Sequence, residues 1–342
     1  MEKEALLYEK LKDRRVHCYL CSHHCRISDH KTGLCGVREN IGGTLYTRVW
    51  GDLIAMHADP VEKKPLYHFL PGSLSFSIAT VGCNFRCGFC QNWEISQRPS
   101  TGRAGLGSEE VNPQDVVDEA LKADCRSVSY TYTEPTVFFE YALDTAKLAR
   151  AKGLANIFVT NGYMTAEALE AIRPYLEAAN VDLKFFRDES YRRICGGSLK
   201  PVLESIRLMK KMGVWVEVTT LVVPGENDSV EELKDIADFI FSLDRDIPWH
   251  ISRFHPDYKF NDVSPTPEET LEEAREIGMR AGLRFVYAGN VYGWGNDTSC
   301  IHCGRTLAKR QGFSILEYNI KEGKCVFCGG DVPGVFEGKD EN

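Results

Sequence analysis

The chain has 342 residues, 43% of them hydrophobic and 26% charged, an ordinary composition with ample material for a core. A net charge of −8 disfavours binding driven by phosphate neutralisation, although nucleic acid is not excluded, because a local basic patch is compatible with that total. No run approaches the roughly 18 apolar residues of a membrane span, and the charged "MEKEALLYEKLKDRR" is no secretory signal, so a cytoplasmic protein is expected.

Residues 1–72 are predicted to form an N-terminal Cys-rich metal-binding unit. A helical start leads into Cys18, Cys21, Cys25 and Cys35, and a β-like stretch follows, "GTLYTRVWGDLIAMHADP". The connector "KKPLYHFLPG", with two prolines and a glycine, closes the unit. Thirteen cysteines in a reducing compartment point to metal rather than disulfides. The first four fit zinc, with an auxiliary iron–sulfur cluster as the alternative, and His17, His23 and His24 are close enough in sequence to replace a thiolate. His57 and His68 read as packing or surface residues.

From residue 73 to 290 strand and helix patterns alternate. Strands are predicted at 74–81, 127–132, 156–160, 180–186, 214–223, 249–254 and 284–289. Helices are predicted at 109–122, 136–152, 165–178, 199–212, 229–242 and 267–282. Asn112-Pro113, Thr165 and Ser229 are start signals, and Gly153, Gly213 and Gly282 are stop signals. The alternation implies a parallel sheet in an α/β fold, best described as an incomplete (β/α)6-type barrel. In such barrels functional groups gather at the C-terminal ends of the strands.

The chemistry-bearing residues fall at those ends. After the first strand comes "GCNFRCGFCQN", with Cys83, Cys87 and Cys90. Three thiolates on one loop suit either zinc with a distant fourth ligand or an iron–sulfur cluster with one iron open. Thr133 and Glu134 follow the second strand in "YTEP". Asn161 follows the third in "TNG", where turn chemistry is the plainer account. Asp182 and Lys184 in "DLK" share one strand face, and charges there are costly unless partnered. His255 and Lys259 follow the sixth strand. Cys125 and Cys195 read as buried thiols, with a substrate-side role for Cys195 as the alternative. Residues 291–342 are predicted to form a C-terminal four-Cys ribbon and tail, in which Cys300, Cys303, Cys325 and Cys328 form two C-x2-C knuckles. Structural zinc is the expected metal there, with a single rubredoxin-like iron as its rival.

The spacing Cys83, Cys87, Phe89, Cys90 resembles the signature of the radical S-adenosylmethionine (radical SAM) enzymes. The resemblance implies a radical SAM barrel, a [4Fe–4S] cluster on those three thiolates and S-adenosyl-L-methionine chelated at the open iron. It places Phe89, Thr133, Glu134, Asn161, Asp182, Lys184 and His255 at the cofactor, with Glu134 toward its ammonium group. Tyr132 and Thr133 stand where related enzymes carry two glycines. "DLK" and the late histidine are similar to the pyruvate formate-lyase-activating branch. The flanks, "PVEKKPLYHFLPGS" and the terminal Cys pairs, resemble the radical enzyme of the AmmeMemoRadiSam system. The chemistry implied by this resemblance is a 5′-deoxyadenosyl radical that takes hydrogen from a small-molecule, protein or RNA substrate. An electron donor such as flavodoxin or ferredoxin is implied, with AmmeMemo proteins as partners. A glycyl-radical activase is the alternative within that chemistry, and a metal-stapled RNA- or protein-binding protein the alternative outside it.

Overall fold

The apolar runs after residue 73 line up side by side in one sheet. The computed structural model describes residues 3–97 and 110–336, so residue 109 of the first predicted helix and the tail 337–342 lie outside the described residues. Strands β1 (Leu53–Pro60), β2 (Leu74–Thr80), β3 (Cys125–Tyr130), β4 (Ala155–Thr160), β5 (Ala178–Asp182), β6 (Trp215–Val222), β7 (Trp249–Arg253) and β8 (Val286–Gly289) follow one another across it in chain order. From β2 to β8 every neighbouring pair is parallel, while β1 runs antiparallel to β2. The crossovers carry helices α1 (Pro113–Lys122), α2 (Phe139–Ala151), α3 (Ala166–Ile172), α4 (Leu199–Lys211), α5 (Val230–Leu243) and α6 (Glu268–Arg280).

Local chemistry explains these bounds. Asn112 and Asp115 form a capping box at α1, and the hydroxyls of Thr165 and Ser229 accept from the N–H groups of Ala168 and Glu232. On α4, Val202, Ile206 and Met209 recur at helical spacing and are buried against the sheet. The predicted helix 165–178 ends earlier, at Ile172, because Pro174 restricts its predecessor and sits in a 3-10 turn, Arg173–Tyr175. Strand β5 therefore starts two residues sooner than predicted and stops at Asp182, so Lys184 lies beyond its end.

The N-terminal segment corrects one expectation: its helical start is absent. Lys3–Glu4 pairs with Thr44–Thr47, and Tyr8–Lys10 forms a hairpin with Val16–Cys18. Asp13 and Arg14 at the hairpin tip have φ of 58° and 54°, the two positive values of a type I′ turn. The β-like stretch 43–60 is shared out. Thr44–Thr47 stays in the small sheet, while β1 joins the large one. The unit leans on α2 through a buried Arg38–Glu140 ion pair, whose carboxylate also accepts from the Leu6 N–H at 2.7 Å.

The connector after β1 forms a floor under the N-terminal ends of the later strands. Glu217, third residue of β6 and fully buried, accepts from the N–H groups of Tyr67 (3.0 Å) and His68 (2.8 Å) and pairs with His250 of β7 at 2.6 Å. His68 lies between the Tyr287 hydroxyl and the Pro333 carbonyl, 2.6 Å from each. The C-terminal segment is tied to the same floor. Arg310 covers the Tyr67 ring at 4.1 Å and donates to the Tyr67 carbonyl at 3.0 Å.

Candidate functional site

At the opposite end of the sheet the parallel strands open into a cavity of about 400 Å³. Every parallel strand contributes to its wall, at or just past its C-terminal end or along its later half. These contributions are the loop 83–92 after β2, Thr131–Glu134 after β3, Thr160 and Asn161 at β4, and Asp182 and Lys184 at β5. Thr219 and Leu221 come from β6, Ser252 from β7 and Asn290 from just past β8. This size lies in the range of small-molecule and cofactor sites.

The cysteine loop is held from both sides. The N–H groups of Arg86 and Gly88 donate to the carbonyls of Cys195 and Ile194, in the turn Tyr191–Cys195. The fully buried Cys195 thiol bonds to Cys87, so it braces the loop from behind. On the outer side a Cβ at Gly88 would meet the Phe260 ring at 2.6 Å, so only glycine lets that ring close over the loop. Cys83, Cys87, Cys90 and Phe89 all reach the cavity wall. The Phe85 N–H donates to Cys83 Sγ at 3.3 Å, and Ser96 Oγ lies 3.2 Å from Cys90 Sγ. Three soft thiol donors converging on one cavity, with hydrogen-bond donors on their sulfurs, fit an iron–sulfur cluster.

The other predicted site residues divide. Asp182 and Lys184 stand together on the wall, Nζ to Oδ2 at 2.8 Å, with Nζ 5.9 Å from the centre of the Phe89 ring. Burial works against the Lys184 ammonium, but the Asp182 carboxylate and the Cys87 and Cys195 sulfurs together outweigh it and raise the lysine above its ordinary value. Glu134 is buried and occupied: Oε1 accepts from Thr136 N–H, Thr136 Oγ1 and Thr160 Oγ1, and Oε2 from the Asn161 N–H at 2.8 Å. Burial pushes its carboxyl up, against those bonds. Asn161 does turn duty through Oδ1, which accepts from the Tyr163 N–H, while Nδ2 donates to Asn84 Oδ1 at 2.7 Å. Thr133 Oγ1 donates to the Thr80 carbonyl and lines the cavity. His255 is exposed and lies outside the residues that wall the cavity.

Sequence reasoning missed one cluster. Lys63 and Lys64, read as connector, line the cavity on its β1 side. Both donate to Asp59, at 2.8 and 2.7 Å, and the Tyr132 hydroxyl donates to the same carboxylate. Burial lowers Lys64 to about 8, with Asp59 pulling the other way. Tyr132 reaches this position from a backbone φ of 61°, a left-handed conformation unusual for an aromatic residue. No local signal marks the group, since Tyr132 and Asp59 are 73 residues apart.

Two further cysteine groups lie away from this cavity. In the C-terminal segment Cys300, Cys303, Cys325 and Cys328 bring their sulfurs within 4.8 Å of one another, a site that can hold a metal ion. Near the N-terminus Cys18, Cys21, Cys25 and Cys35 line one small enclosed cavity. Of the three histidines weighed as substitutes, His23 lines it but has Nε2 on the Asn84 carbonyl at 2.7 Å, His17 pairs with Glu9 and His24 is exposed.

Residues 77–240, from β2 to α5, match the family model of the radical SAM superfamily. These residues are a radical SAM domain. It is 45% identical over 331 residues to the uncharacterized protein MJ0808 of Methanocaldococcus jannaschii, covering 96% of this chain and 98% of that one. A pyruvate formate-lyase-activating enzyme of Clostridium pasteurianum is 23% identical over 206 residues, covering 55% of this chain and 83% of the relative. Among solved structures, a domain of a pyruvate formate-lyase-activating enzyme from Bacteroides vulgatus superposes with a TM-score of 0.43 at 19% identity, covering 48% of this chain and 99% of the other.

Proposed function

We propose that this protein is a radical SAM enzyme that removes a hydrogen atom from a small, negatively charged substrate held in the strand-end cavity. The observation that carries the reading is the convergence of Cys83, Cys87 and Cys90 on a cavity walled by all seven parallel strands. Bound together, a [4Fe–4S] cluster and S-adenosyl-L-methionine supply a 5′-deoxyadenosyl radical for that abstraction.

The chain's own residues bind, orient and exclude water. The three thiolates hold the cluster, and the brace of Cys195 and Tyr191–Cys195 fixes their loop. Asp182 offers a carboxylate to hydroxyls or an ammonium group, and Lys184 a cation to a carboxylate, each already oriented by the other. Asn161 and Glu134 lock the ends of β3 and β4 at the spacing the ligand needs. Phe89 and Leu221 shield the site from water. Lys63 and Lys64 exceed Asp59 by one positive charge, which favours an anionic substrate on the β1 side.

The finer assignments rest on resemblance. The flanks support membership of the AmmeMemoRadiSam group, with its companion proteins as partners and a flavodoxin or ferredoxin as electron donor. An incomplete barrel is the form of sheet that suits this chemistry, and zinc is the metal that suits the ribbon. The relatives named as pyruvate formate-lyase-activating enzymes support a second reading, activation of a partner enzyme as a glycyl radical.

The test is S-adenosylmethionine cleavage by anaerobically reconstituted protein under a low-potential reductant. Wild type is expected to form 5′-deoxyadenosine slowly without substrate, and the Cys83→Ala/Cys87→Ala/Cys90→Ala variant to form none. Product from that variant would sink the reading. Deuterium transfer into 5′-deoxyadenosine from a small anionic metabolite fraction, rather than from a deuterated protein fraction, separates the first reading from the activase.

A further inference from the structure

The three cysteine groups of this chain are built to two different gauges. Zinc at about 2.3 Å from four tetrahedral thiolates sets neighbouring sulfurs about 3.8 Å apart. The C-terminal group has this gauge: Cys300 and Cys328 Sγ are 3.7 Å apart, and Cys303 and Cys325 Sγ 3.8 Å. Sulfurs so spaced suit a single ion and leave no room for a cluster.

The N-terminal group is wider. Cys18, Cys21, Cys25 and Cys35 surround a cavity of about 20 Å³, enough for a water-sized sphere. Among the described residues only the C-terminal group gathers three or more ligand atoms within 4.8 Å of one another. The N-terminal four share this wider setting with Cys83, Cys87 and Cys90, which also face a cavity without closing to that distance. A cubane cluster requires such a gauge, because each thiolate binds a different iron and the sulfurs occupy the corners of a larger tetrahedron.

The surroundings agree. Leu20, Ile27, Leu34 and Val137 complete an apolar wall, where water is no competing ligand. Arg38, already paired with Glu140, lines the same cavity and is buried, with one guanidinium nitrogen 3.6 Å from Cys18 Sγ and Nε without a hydrogen bond. A buried cation donating to sulfur, with hydrogen-bonding capacity to spare, suits an anionic sulfur-rich group. The unit backs directly onto the radical SAM loop. A Cβ at Gly82 would meet Val37 at 2.5 Å, and His23 and Arg86 bridge the two segments through Asn84 and Leu34.

We propose that Cys18, Cys21, Cys25 and Cys35 hold a second iron–sulfur cluster of the [4Fe–4S] class, in place of the zinc ion their sequence spacing favours. The assignment stands apart from the catalytic reading, since it concerns four thiols that reading does not use.

The experiment is metal and sulfide analysis of full-length protein purified and reconstituted without oxygen. The Cys83→Ala/Cys87→Ala/Cys90→Ala variant is expected to retain about four irons and four acid-labile sulfides per chain, with the Mössbauer doublet of a [4Fe–4S] cluster. Adding Cys21→Ser and Cys25→Ser should remove that iron. Zinc at this site in the triple variant, mononuclear iron without sulfide, or no iron at all would each overturn the proposal. So would iron and sulfide that persist in the fivefold variant. If the fivefold variant does not fold, the Mössbauer spectrum of the triple variant decides alone. Failure of the catalytic reading shows separately, as equal iron in wild type and triple variant.

Discussion

Glu134 and Asp182 are both carboxylates on the cavity wall, yet they answer to substitution differently. Glu134 accepts four hydrogen bonds from three residues and is buried. Glu134→Gln turns an amide NH₂ toward donors and leaves at least one buried group unpaired. It should lower stability by about 1–3 kcal/mol, read from urea unfolding, with cofactor binding weakened as a by-product. Asp182 is half-buried and bonded to Lys184 alone among the described residues. Asp182→Ala should leave iron content near wild type and lower the urea midpoint, since Lys184 loses the carboxylate that offsets its burial, while weakening S-adenosylmethionine binding about 10- to 150-fold, the loss of one charge-assisted hydrogen bond. Equilibrium dialysis checks this, and unchanged affinity would remove Asp182 from the site. Asp182 was legible because a charge in an apolar strand is conspicuous. Lys64 was not, because a lysine in a polar connector is ordinary and its partners come from the fold.

At the scale of elements, the connector between β1 and β2 makes the fold sensitive to acid. Burial holds His68 down to about 4, although Glu217 and the Pro333 carbonyl pull it up. An unfolded histidine titrates near 6.5, so between those values the unfolded chain binds the extra proton. The stability from neutral His68 is therefore whole above about pH 6.5 and drains as pH falls to about 4, to a total of about 3 kcal/mol. His68→Gln should be less stable at pH 7 but show a shallower loss between pH 7 and 5, measured as the shift of the urea midpoint. An equally steep loss in the variant would assign the acid sensitivity elsewhere. The parallel strands and most helix ends were readable, because caps and apolar runs are local signals. The first fifteen residues misled for the same reason: "EKEALLYEKLKDRR" is rich in helix formers, and strand pairing overrides that preference, of Lys3–Glu4 with the distant Tyr46 and Thr47 and of Tyr8–Lys10 with its hairpin partner Val16–Cys18.

Across the whole molecule, the four-Cys ribbon and the strand-end cavity occupy opposite ends of the sheet. Arg310, Tyr67 and Glu62 pack in the floor, where buried Arg310 Nε lies 4.0 Å from Glu62 Oε1 without a hydrogen bond. Breaking the four-thiol site by Cys325→Ser/Cys328→Ser should thus unsettle the floor and lower the thermal midpoint. Basal S-adenosylmethionine cleavage at low temperature should survive. Calorimetry and a 5′-deoxyadenosine assay on the same preparation check both halves, and loss of cleavage with an intact [4Fe–4S] cluster would place the ribbon in turnover. The sequence shows the units in order, but it cannot show that the last one closes beneath the first. That closure depends on contacts such as Tyr67 to Arg310, 243 residues apart.

This separation sets a timetable for biogenesis. A ribosome adding about 5–20 residues per second needs roughly 10–50 seconds to travel from Tyr67 to Arg310. Throughout that interval the connector has no Glu217, then no Arg310, to hold it, and the growing parallel sheet presents a fresh unpaired edge after each strand. Seven thiols, from Cys18 to Cys90, have meanwhile left the ribosome, in a chain that cannot yet seal its floor. Slow, high-contact-order closure therefore leaves those thiols open to oxidation before the floor can seal.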